Sequence, residues 1–436
     1  MRFTASSENA RTDRGPLSSL ISNSPKPASD LARRINTCRA PLSRVIHICR
    51  HHRLSFGGVE TVVEALRSVA GHHVLSPSGL ACPDNCSFVH GEGYGGMRLG
   101  PVAKDADVIE LIRQTIMAAR EVNAEIVHLH NLQVPYEQPL LTLLVEEIHA
   151  NGRKVVLTAY DVQDNNFNIG EVVRSIRSAH IDELLTVSRY TQALLASHGV
   201  SARIVPGCIS DSVIRFVTDV TANHRYPNGV KPPSSCSATG SVGAPGRLLP
   251  VKGQIRVISA AARAGAREVV VSNAANAEPA YIELLRREAA VGGLKLRFAQ
   301  NAVELYSSVD LIVVAPNYPE SQGLTPLEAL ALSVPAVVVA SGGLAENADI
   351  PGICTVTQDL IMPPACSVAS DGSSFPFHYR AALSTAIAAV LRDFEAWRAR
   401  ARLGSKQVLR TYSPKVVIAS LEKIYGEVRI RCDSSE

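Results

Sequence analysis

The sequence contains no apolar run long enough to cross a membrane. Hydrophobic residues make up 46% of the 436 positions, yet the longest apolar runs fall well short of the ~18 residues that a membrane span needs. Residues 1–43 also lack the hydrophobic core of a secretory signal, and their Ser, Arg, Asn and Pro content without periodicity predicts a mostly disordered leader. Arg and Ser enrichment leaves a transit peptide as the alternative, against which Glu8, Asp13 and Asp30 argue. We therefore expect a cytoplasmic protein, with at most peripheral contact at the inner membrane face.

Neither strong net charge nor clustered cysteine is present. The net charge of +4 is small for this length and the Lys and Arg residues are dispersed, so a nucleic-acid partner is not expected. The slight basic excess is compatible with an anionic substrate or a peripheral membrane contact. Of nine cysteines only Cys82 and Cys86 lie close together, and neither a second pair nor histidines at ligand spacing accompany them. We therefore expect free thiols in a reducing compartment and no metal site.

What the sequence does contain is a succession of short apolar runs and helix-compatible segments. A chain of 436 residues is long enough for two domains of roughly 150 to 200 residues. Buried strands are predicted at residues 45–49, 154–158, 268–272, 311–315 and 336–340. The sequence predicts a first domain at 44–217, a Pro- and Ser-rich linker at 218–240, a second domain at 241–412 and a terminal helix at 413–436.

The most informative segment follows the predicted strand at 311–315. Glu320 and Glu328, with seven residues between them, flank a predicted strand-to-helix loop. With Thr325 as N-cap and Pro326 as the first helical residue, this loop presents free backbone N–H groups beside two carboxylates. Such a loop suits a ligand with anionic and hydroxyl parts. The alternative is that Glu328 merely completes a capping box with Thr325.

Two other loops carry candidate groups for an anionic ligand. Gly57 and Gly58 follow the strand at 45–49, where main-chain N–H groups can approach a phosphate, although a tight turn without a ligand fits equally. Arg247 and Lys252 lie five residues apart on a predicted strand-to-helix loop. Cations of this kind suit a diphosphate, and solvated surface charges are the alternative.

A pair of histidines lies on a predicted strand of the first domain. Alternation places His128 and His130 on one face of the strand at 125–131. Satisfied structural histidines are the simpler interpretation for His128, whereas His130, at the end of the strand, fits a site residue as well. The Gly- and Pro-rich stretch 76–104 is assigned to acceptor recognition.

Taken together, these segments resemble the retaining GT-B glycosyltransferases of family 4. The two glutamates and the following Gly342-Gly343-Leu344-Ala345-Glu346 resemble the E-x7-E signature and its flank, and Gly246-Arg247 with Lys252-Gly253 resembles the second-domain motif. The resemblance covers roughly residues 45–426. It implies an α/β GT-B fold, in which two Rossmann-like doubly wound domains face each other across a cleft and the terminal helix crosses back to the first domain.

The same resemblance implies the reaction and the roles of individual residues. A hexose would move from a nucleoside-diphosphate donor, UDP or GDP, to a glycan, lipid or small-molecule acceptor, with retention and without a metal or further cofactor. Arg247 and Lys252 would neutralise the leaving diphosphate, Glu320 would bind the hexose and Glu328 the ribose. The implied donor-binding residues are Gly57, Gly58, Gly323, Leu324, Thr325, Glu328 and Asn301.

At Tyr160 the sequence departs from this family. Most relatives carry there a histidine that contacts the transferred sugar. A tyrosine hydroxyl is a poor general base at neutral pH but can form a hydrogen bond, so we expect Tyr160 to position the sugar as a donor. The alternatives are that Asp161 faces the sugar instead, or that Tyr160 and Ser333 mark a non-catalytic sugar-nucleotide-binding or scaffold protein. Sugar phosphorylases and epimerases share the GT-B architecture and are a further alternative.

Overall fold

The computed structural model describes most of both predicted domains. The described residues are 44–49, 58–70, 72–75, 105–132, 140–162, 169–223, 238–275, 277–357 and 377–433. The predicted leader, Gly57, the stretch 76–104 and positions 224–237 of the predicted linker lie outside these ranges, as do Cys82 and Cys86. In the described part of the chain, no helix is long and apolar enough to cross a membrane.

The first domain is built on a sheet of six parallel strands. The strands are β1 (Val45–Cys49), β2 (His73–Leu75), β3 (Ile126–His130), β4 (Lys154–Ala159), β5 (Glu183–Thr186) and β6 (Arg203–Ile204), in the spatial order β2-β1-β3-β4-β5-β6. All five residues of β1 and of β3 are buried, because helices cover both faces of a parallel sheet. The register pairs His47 with His128 and Cys49 with His130, which places the side chains of His47 and His128 beside each other.

Six helices are described between these strands and before the second sheet. They are α1 (Gly58–Val69), α2 (Asp105–Glu121), α3 (Leu140–Ala150), α4 (Ile169–Ser178), α5 (Arg189–Ser197) and α6 (Asp211–Asn223). Helix α6 includes the first six positions of the stretch predicted as a linker. It continues because Val213, Ile214 and Val217 pack into the core of the second domain, a tertiary contact that composition does not show.

The second domain repeats the design with another sheet of six parallel strands. Its strands are β7 (Ser241–Ala244), β8 (Glu268–Val271), β9 (Lys295–Phe298), β10 (Leu311–Val314), β11 (Ala336–Ala340) and β12 (Ile353–Thr357), in the order β12-β11-β10-β7-β8-β9. Its helices are α7 (Gln254–Arg263), α8 (Pro279–Val291), α9 (Ala302–Ser307), α10 (Leu324–Ala331), α11 (Phe377–Arg392) and α12 (Phe394–Tyr412). The order reverses between β7 and β10, which creates the crevice where doubly wound sheets bind ligands.

The last helix, α13 (Pro414–Asp433), returns to the first domain. Val417, Leu421 and Tyr425 are at most 3% exposed and pack in one cluster with Val45 of β1 and Leu66 of α1. The predicted crossing of the terminal helix is therefore confirmed, and α13 supplies part of the first domain's hydrophobic core.

Candidate functional site

The switch point of the second sheet brings the two predicted ligand loops together. Strands β7 and β10 are parallel neighbours, with Leu311 paired to Val242. Because the carboxyl ends of parallel strands lie at one edge of a sheet, the loop after β7 and the loop after β10 meet there. Lys252 ends a short 3-10 helix at Pro250–Lys252 on the first loop, and Glu320 lies on the second.

Lys252 and Glu320 form an ion pair at the centre of this crevice. The Lys252 Nζ atom lies 2.7 Å from Glu320 Oε1 and donates a second hydrogen bond of 2.6 Å to the Tyr318 hydroxyl. Their side chains are only 17% and 18% exposed. Burial favours the neutral amine, but the Glu320 carboxylate outweighs it and raises the pKa of Lys252. The residues assigned to the diphosphate and to the hexose are therefore bonded to each other in the unliganded protein.

The backbone of Glu320 is held by the glycine pair that follows β11. Glu320 and Gly342 form an isolated parallel bridge, and the Gly343 N–H donates to the Glu320 carbonyl at 2.6 Å. Gly342 has a φ of 58°, and a Cβ there would collide with the Glu320 carbonyl oxygen. Only glycine combines this backbone conformation with so close an approach. The glycine pair therefore sets the position of the Glu320 carboxylate.

The helix beyond Glu320 begins earlier than the sequence predicts. Helix α10 starts at Leu324, and its N-cap is Gly323, which has a left-handed φ of 82°. The prediction of Thr325 as N-cap is therefore wrong, because the backbone turns at Gly323 and Thr325 lies in the first helical turn. Pro326 also lies in that turn, where its missing N–H costs no hydrogen bond. The first turn of the helix leaves the backbone N–H groups of Leu324 and Thr325 without an intrahelical partner, on the segment that carries Glu320.

Glu328 does not form a capping box. Its Oε1 atom accepts a hydrogen bond of 3.1 Å from the Ser210 N–H, and its Oε2 atom accepts one of 2.8 Å from the Tyr306 hydroxyl. Burial raises the pKa of Glu328, while these two bonds oppose the rise. The carboxylate thus connects α10 to α9 and to the segment that leads into α6.

The remaining second-domain candidates differ in how they are held. Arg247 is exposed, and its carbonyl accepts a 2.8 Å hydrogen bond from the Gln254 side chain, so the backbone is fixed while the guanidinium extends outward. Asn301 is the N-cap of α9, and its side chain accepts from the Glu304 N–H at 2.9 Å. The Gln300 N–H already donates to the Glu304 carboxylate. The base-binding role implied for Asn301 remains a prediction.

The first domain meets the Glu320 loop directly. Gln322 binds Gly207 twice, accepting from its N–H at 2.8 Å and donating to its carbonyl at 3.2 Å. Gly58, exposed at the start of α1, faces Leu324. The Ser321 hydroxyl donates to Asp161 at 3.3 Å. Gln322 was not singled out from the sequence, because its partner lies 115 positions away.

Glu346 makes a further contact between the domains. Its carboxylate accepts from the backbone N–H groups of Arg189 at 3.2 Å and Tyr190 at 2.7 Å, at the start of α5. A negative charge is favoured at a helix N-terminus. The last residue of the Gly-Gly-x-x-Glu segment therefore binds the opposite domain.

Tyr160 follows the carboxyl end of β4 and is 8% exposed. Its hydroxyl lies 3.2 Å from His130 Nδ1. The neighbouring Asp161 accepts from the Asn131 side chain at 3.0 Å, in addition to its bond from Ser321. Asp161 therefore contacts the second domain, while the adjacent Tyr160 is buried beside His130.

His130 belongs to a group of four buried histidines. His47, His72, His128 and His130 are each at most 2% exposed. His128 hydrogen-bonds the Tyr425 hydroxyl and the Thr158 hydroxyl, each at 2.7 Å, so it is satisfied within the core. His47 and His72 were missed in the sequence, although a histidine at the centre of the apolar strand at 45–49 was the available signal.

Three of these histidines approach one another closely enough to raise the question of a metal ion. Ligand nitrogens of His47, His128 and His130 all lie within 4.8 Å of one another. The rings of His128 and His130, however, stack with centroids 4.1 Å apart and an interplanar angle of 28°. Stacked rings direct their in-plane lone pairs side by side, so a hydrogen-bonded network fits this geometry better than a shared ligand sphere.

Comparison with known proteins supports the same architecture. Residues 241–349 match the family described as "Glycosyl transferases group 1". HepE from Anabaena, in complex with UDP and glucose, has a TM-score of 0.62 and 13% identity over 88% of this chain and 99% of that chain. No curated protein sequence matches the chain.

Two further structures share the fold. A glycosyltransferase from Rickettsia africae has a TM-score of 0.59 and 13% identity over 88% of this chain and 98% of that chain. The catalytic domain of starch synthase IV from Arabidopsis thaliana, bound to ADP and acarbose, has a TM-score of 0.55 and 14% identity over 88% of this chain and 99% of that chain. The chain therefore has the GT-B fold, and its second domain carries a glycosyl transferases group 1 segment that includes Arg247, Lys252, Glu320 and Glu328.

Proposed function

We propose that the chain is a retaining glycosyltransferase of family 4 type, which moves a hexose from a nucleoside-diphosphate sugar to a hydroxyl acceptor. The observation that carries this proposal is the meeting of Lys252 and Glu320 at the switch point of a GT-B second domain, within the segment that matches group 1 glycosyltransferases. A cation and a carboxylate at one point suit a ligand that carries a diphosphate beside a sugar.

Charge neutralisation is the main contribution of this site to the reaction. As the sugar–phosphate bond breaks, negative charge develops on the departing diphosphate. Lys252 is held in place by Tyr318 and Glu320, and the exposed Arg247 extends from the same loop. The start of α10 adds the backbone N–H groups of Leu324 and Thr325, which favour anions. These groups supply the positive charge that the transfer needs, and we propose that it proceeds without a metal.

The carboxylates suit the hydroxyl groups of the donor. Glu320 would bind the hexose, while Lys252 would interact with the diphosphate as well as with Glu320. The Glu328 carboxylate accepts hydrogen bonds from Ser210 and from the Tyr306 hydroxyl, and its two oxygens have about four lone-pair sites between them. Glu328 therefore keeps capacity for ribose hydroxyls, as expected for a donor-binding residue.

We propose UDP or GDP as the nucleotide and a glycan, lipid or small molecule as the acceptor. The Anabaena neighbour was solved with UDP-glucose, which makes UDP-glucose the first donor to test. Gly57 and Gly58 would contribute to donor binding, and the stretch 76–104 to acceptor recognition. We further propose a cytoplasmic protein, with peripheral contact at the inner membrane face if the acceptor is a lipid.

The experiment begins with a thermal-shift screen of nucleotide sugars, followed by turnover measurements with Lys252→Ala. We expect at least a ~100-fold loss of turnover with the fold intact, because one donor to developing charge is removed. The matched control is Lys295→Ala, whose side chain is 73% exposed and remote from the crevice, and which should keep turnover within about twofold. The anomeric configuration of the product, read by NMR, tests retention.

Three results would contradict the proposal. Wild-type turnover in Lys252→Ala would show that Lys252 does not neutralise the leaving diphosphate. Tight nucleotide-sugar binding without turnover on any acceptor would indicate a binding protein. Release of sugar phosphate from a glycan would indicate a phosphorylase.

A further inference from the structure

A continuous chain of hydrogen bonds connects Tyr160 to a glutamate on the terminal helix. The Tyr160 hydroxyl lies 3.2 Å from His130, His130 lies 3.0 Å from His47, and His47 lies 2.8 Å from His72. His72 lies 2.6 Å from Glu422 on α13. The three imidazoles are buried, whereas the Glu422 side chain is 40% exposed. The chain thus runs from Tyr160, which is adjacent to Asp161 at the contact with the second domain, through the core to the surface.

The nitrogen atoms in this chain alternate in one sense. Tyr160 meets Nδ1 of His130, whose Nε2 meets Nδ1 of His47. The Nε2 atom of His47 meets Nδ1 of His72, and Nε2 of His72 meets the Glu422 carboxylate. Every ring therefore uses Nδ1 on the Tyr160 side and Nε2 on the Glu422 side.

Burial sets the protonation states of His47 and Tyr160. Burial and the adjacent histidines hold the pKa of His47 well below its usual range, so its ring is neutral and has one N–H donor and one acceptor nitrogen. Burial, together with Cys49 and Cys208, raises the pKa of Tyr160 well above its ordinary value. Tyr160 therefore keeps its proton at neutral pH.

A carboxylate at one end gives such a chain a direction. An ionised carboxylate only accepts hydrogen bonds. With His72 and His130 neutral, as His47 is, Glu422 receives the Nε2–H of His72, His72 Nδ1 accepts from His47, and His47 Nδ1 accepts from His130. The Nδ1 atom of His130 is left as an acceptor, and the Tyr160 hydroxyl must donate to it.

We propose that Glu422, His72, His47 and His130 are positioning residues that orient the Tyr160 hydroxyl proton toward His130. The Tyr160 oxygen then contacts the substrate only as a hydrogen-bond acceptor. It would bind a hydroxyl group of the transferred sugar and would disfavour a phosphate oxygen, which has no proton to donate. The identity of this hydroxyl rests on the proposed function. The direction of the chain does not, and it reverses the expectation that Tyr160 acts as a donor.

The neighbouring His128 provides an internal comparison. Both its nitrogens meet hydroxyl groups, those of Tyr425 and Thr158. A hydroxyl can donate or accept, so nothing at either end sets a direction for this ring. The directed chain is thus a property of the path that ends at Glu422 and not of burial alone.

The first experiment reads the tautomers directly and needs no substrate. The full chain, labelled with ¹⁵N in its histidine rings, is studied by two-bond NMR correlation, and signals are assigned with His72→Gln, His47→Gln and His130→Gln. We expect His72, His47 and His130 all to be the Nε2–H tautomer. An Nδ1–H tautomer at any of the three, or shifts that show a bound metal ion, would overturn the proposal.

The second experiment changes the end of the chain. In Glu422→Gln the amide can donate or accept, so we expect a mixture of tautomers at His72 and His47. Donor KM should rise about three- to tenfold with a smaller change in kcat, and the effect should not add to that of Tyr160→Phe. The matched control is Glu427→Gln on the same helix. Glu427 forms an ion pair with Arg203, and its substitution should change neither the histidine tautomers nor the donor KM.

The two experiments separate the possible failures. Unchanged tautomers in Glu422→Gln would overturn the directing role of Glu422. Altered tautomers with an unchanged donor KM would overturn the link to the substrate. If the tautomers follow expectation while no nucleotide sugar is turned over, the proposed function fails and the directed chain stands.

Discussion

Lys252 and Glu320 neutralise each other in the unliganded protein, and this shapes how a donor can bind. Both side chains are largely shielded from water, and removing one member of such a pair leaves an uncompensated charge in a poorly solvated place. An arriving diphosphate can share Lys252 without that penalty because it brings its own negative charge. We therefore expect the pair to favour an anionic ligand over a neutral one.

Glu328 is the residue at which donor binding can be separated from chemistry. In Glu328→Ala we expect a higher donor KM with a smaller effect on kcat, because a ribose contact is made equally in the ground state and the transition state. Ser210 N–H and the Tyr306 hydroxyl also lose their acceptor. Glu328→Gln, which retains one acceptor oxygen, is the matched comparison and should show an intermediate KM. Steady-state kinetics with varied donor provide the measurement, and an unchanged donor KM in the alanine variant would refute the assignment.

The buried histidines make stability depend on pH. Burial and neighbouring histidines lower the pKa of His47 and His128 well below the ordinary value for histidine. In the unfolded chain these histidines bind protons below pH ~6.5, whereas in the folded protein they stay neutral. The folded state therefore loses stability as pH falls below about 6.5. We expect the free energy of unfolding to fall by about 2 to 3 kcal/mol between pH 7.5 and 5.5.

Equilibrium urea unfolding across this pH range checks the prediction. In His128→Gln only His47 remains of the two neutral histidines, so about half of the pH-dependent loss in the free energy of unfolding should disappear. A free energy of unfolding that stays constant between pH 7.5 and 5.5 would show that the histidines are not held neutral.

At the residue scale, the sequence revealed some contacts and concealed others. Lys252 and Glu320 were identified because each lies in a short motif with its own spacing. The N-cap at Gly323 was missed because a left-handed backbone, and not the capping ability of Thr325, ends the loop. The partnership of His72 with Glu422 spans 350 positions, and no local pattern indicates contacts at that range.

At the scale of an element, the glycine pair after β11 decides where the Glu320 loop lies. In Gly342→Ala the new Cβ would collide with the Glu320 backbone, and we expect turnover to fall at least about tenfold as the carboxylate moves. Gly265→Ala is a matched control, since it has a similar positive φ of 77° but nothing within 4 Å of the added Cβ.

Gly265→Ala should lose about 1 to 2 kcal/mol of stability from its positive φ. Gly342→Ala should lose more, because its φ of 58° and ψ of −135° lie outside the left-handed helical region and its Cβ also collides with Glu320, and only Gly342→Ala should lose activity. Thermal unfolding and turnover are measured on the same samples. Equal turnover in the two variants would show that the loop tolerates displacement.

The elements themselves were largely predictable, and their boundaries were less so. Uniformly apolar, β-branched runs identify β10 and β11, because strands buried on both faces carry little polar alternation. Helix α6 was not predicted, since the contacts that stabilise it come from the other domain. Strand order was not readable from local pattern and came only from the family resemblance.

At the scale of the whole molecule, the cleft is crossed by specific bonds from one domain to the other. Gln322 binds Gly207, Ser321 binds Asp161, and Glu346 caps the helix that begins after Ser188. Two of these bonds come from the loop that carries Glu320. We therefore expect occupation of the proposed donor site to affect the relative placement of the domains.

The return of α13 has a consequence for how the protein is made. A ribosome delivers the strands and helices of the first domain long before Val417, Leu421 and Tyr425, which complete its core. The second domain, although translated later, holds all of its strands and helices before α13 emerges. We therefore expect the nascent first domain to expose the hydrophobic residues that α13 later covers. Chaperones would bind it during this interval.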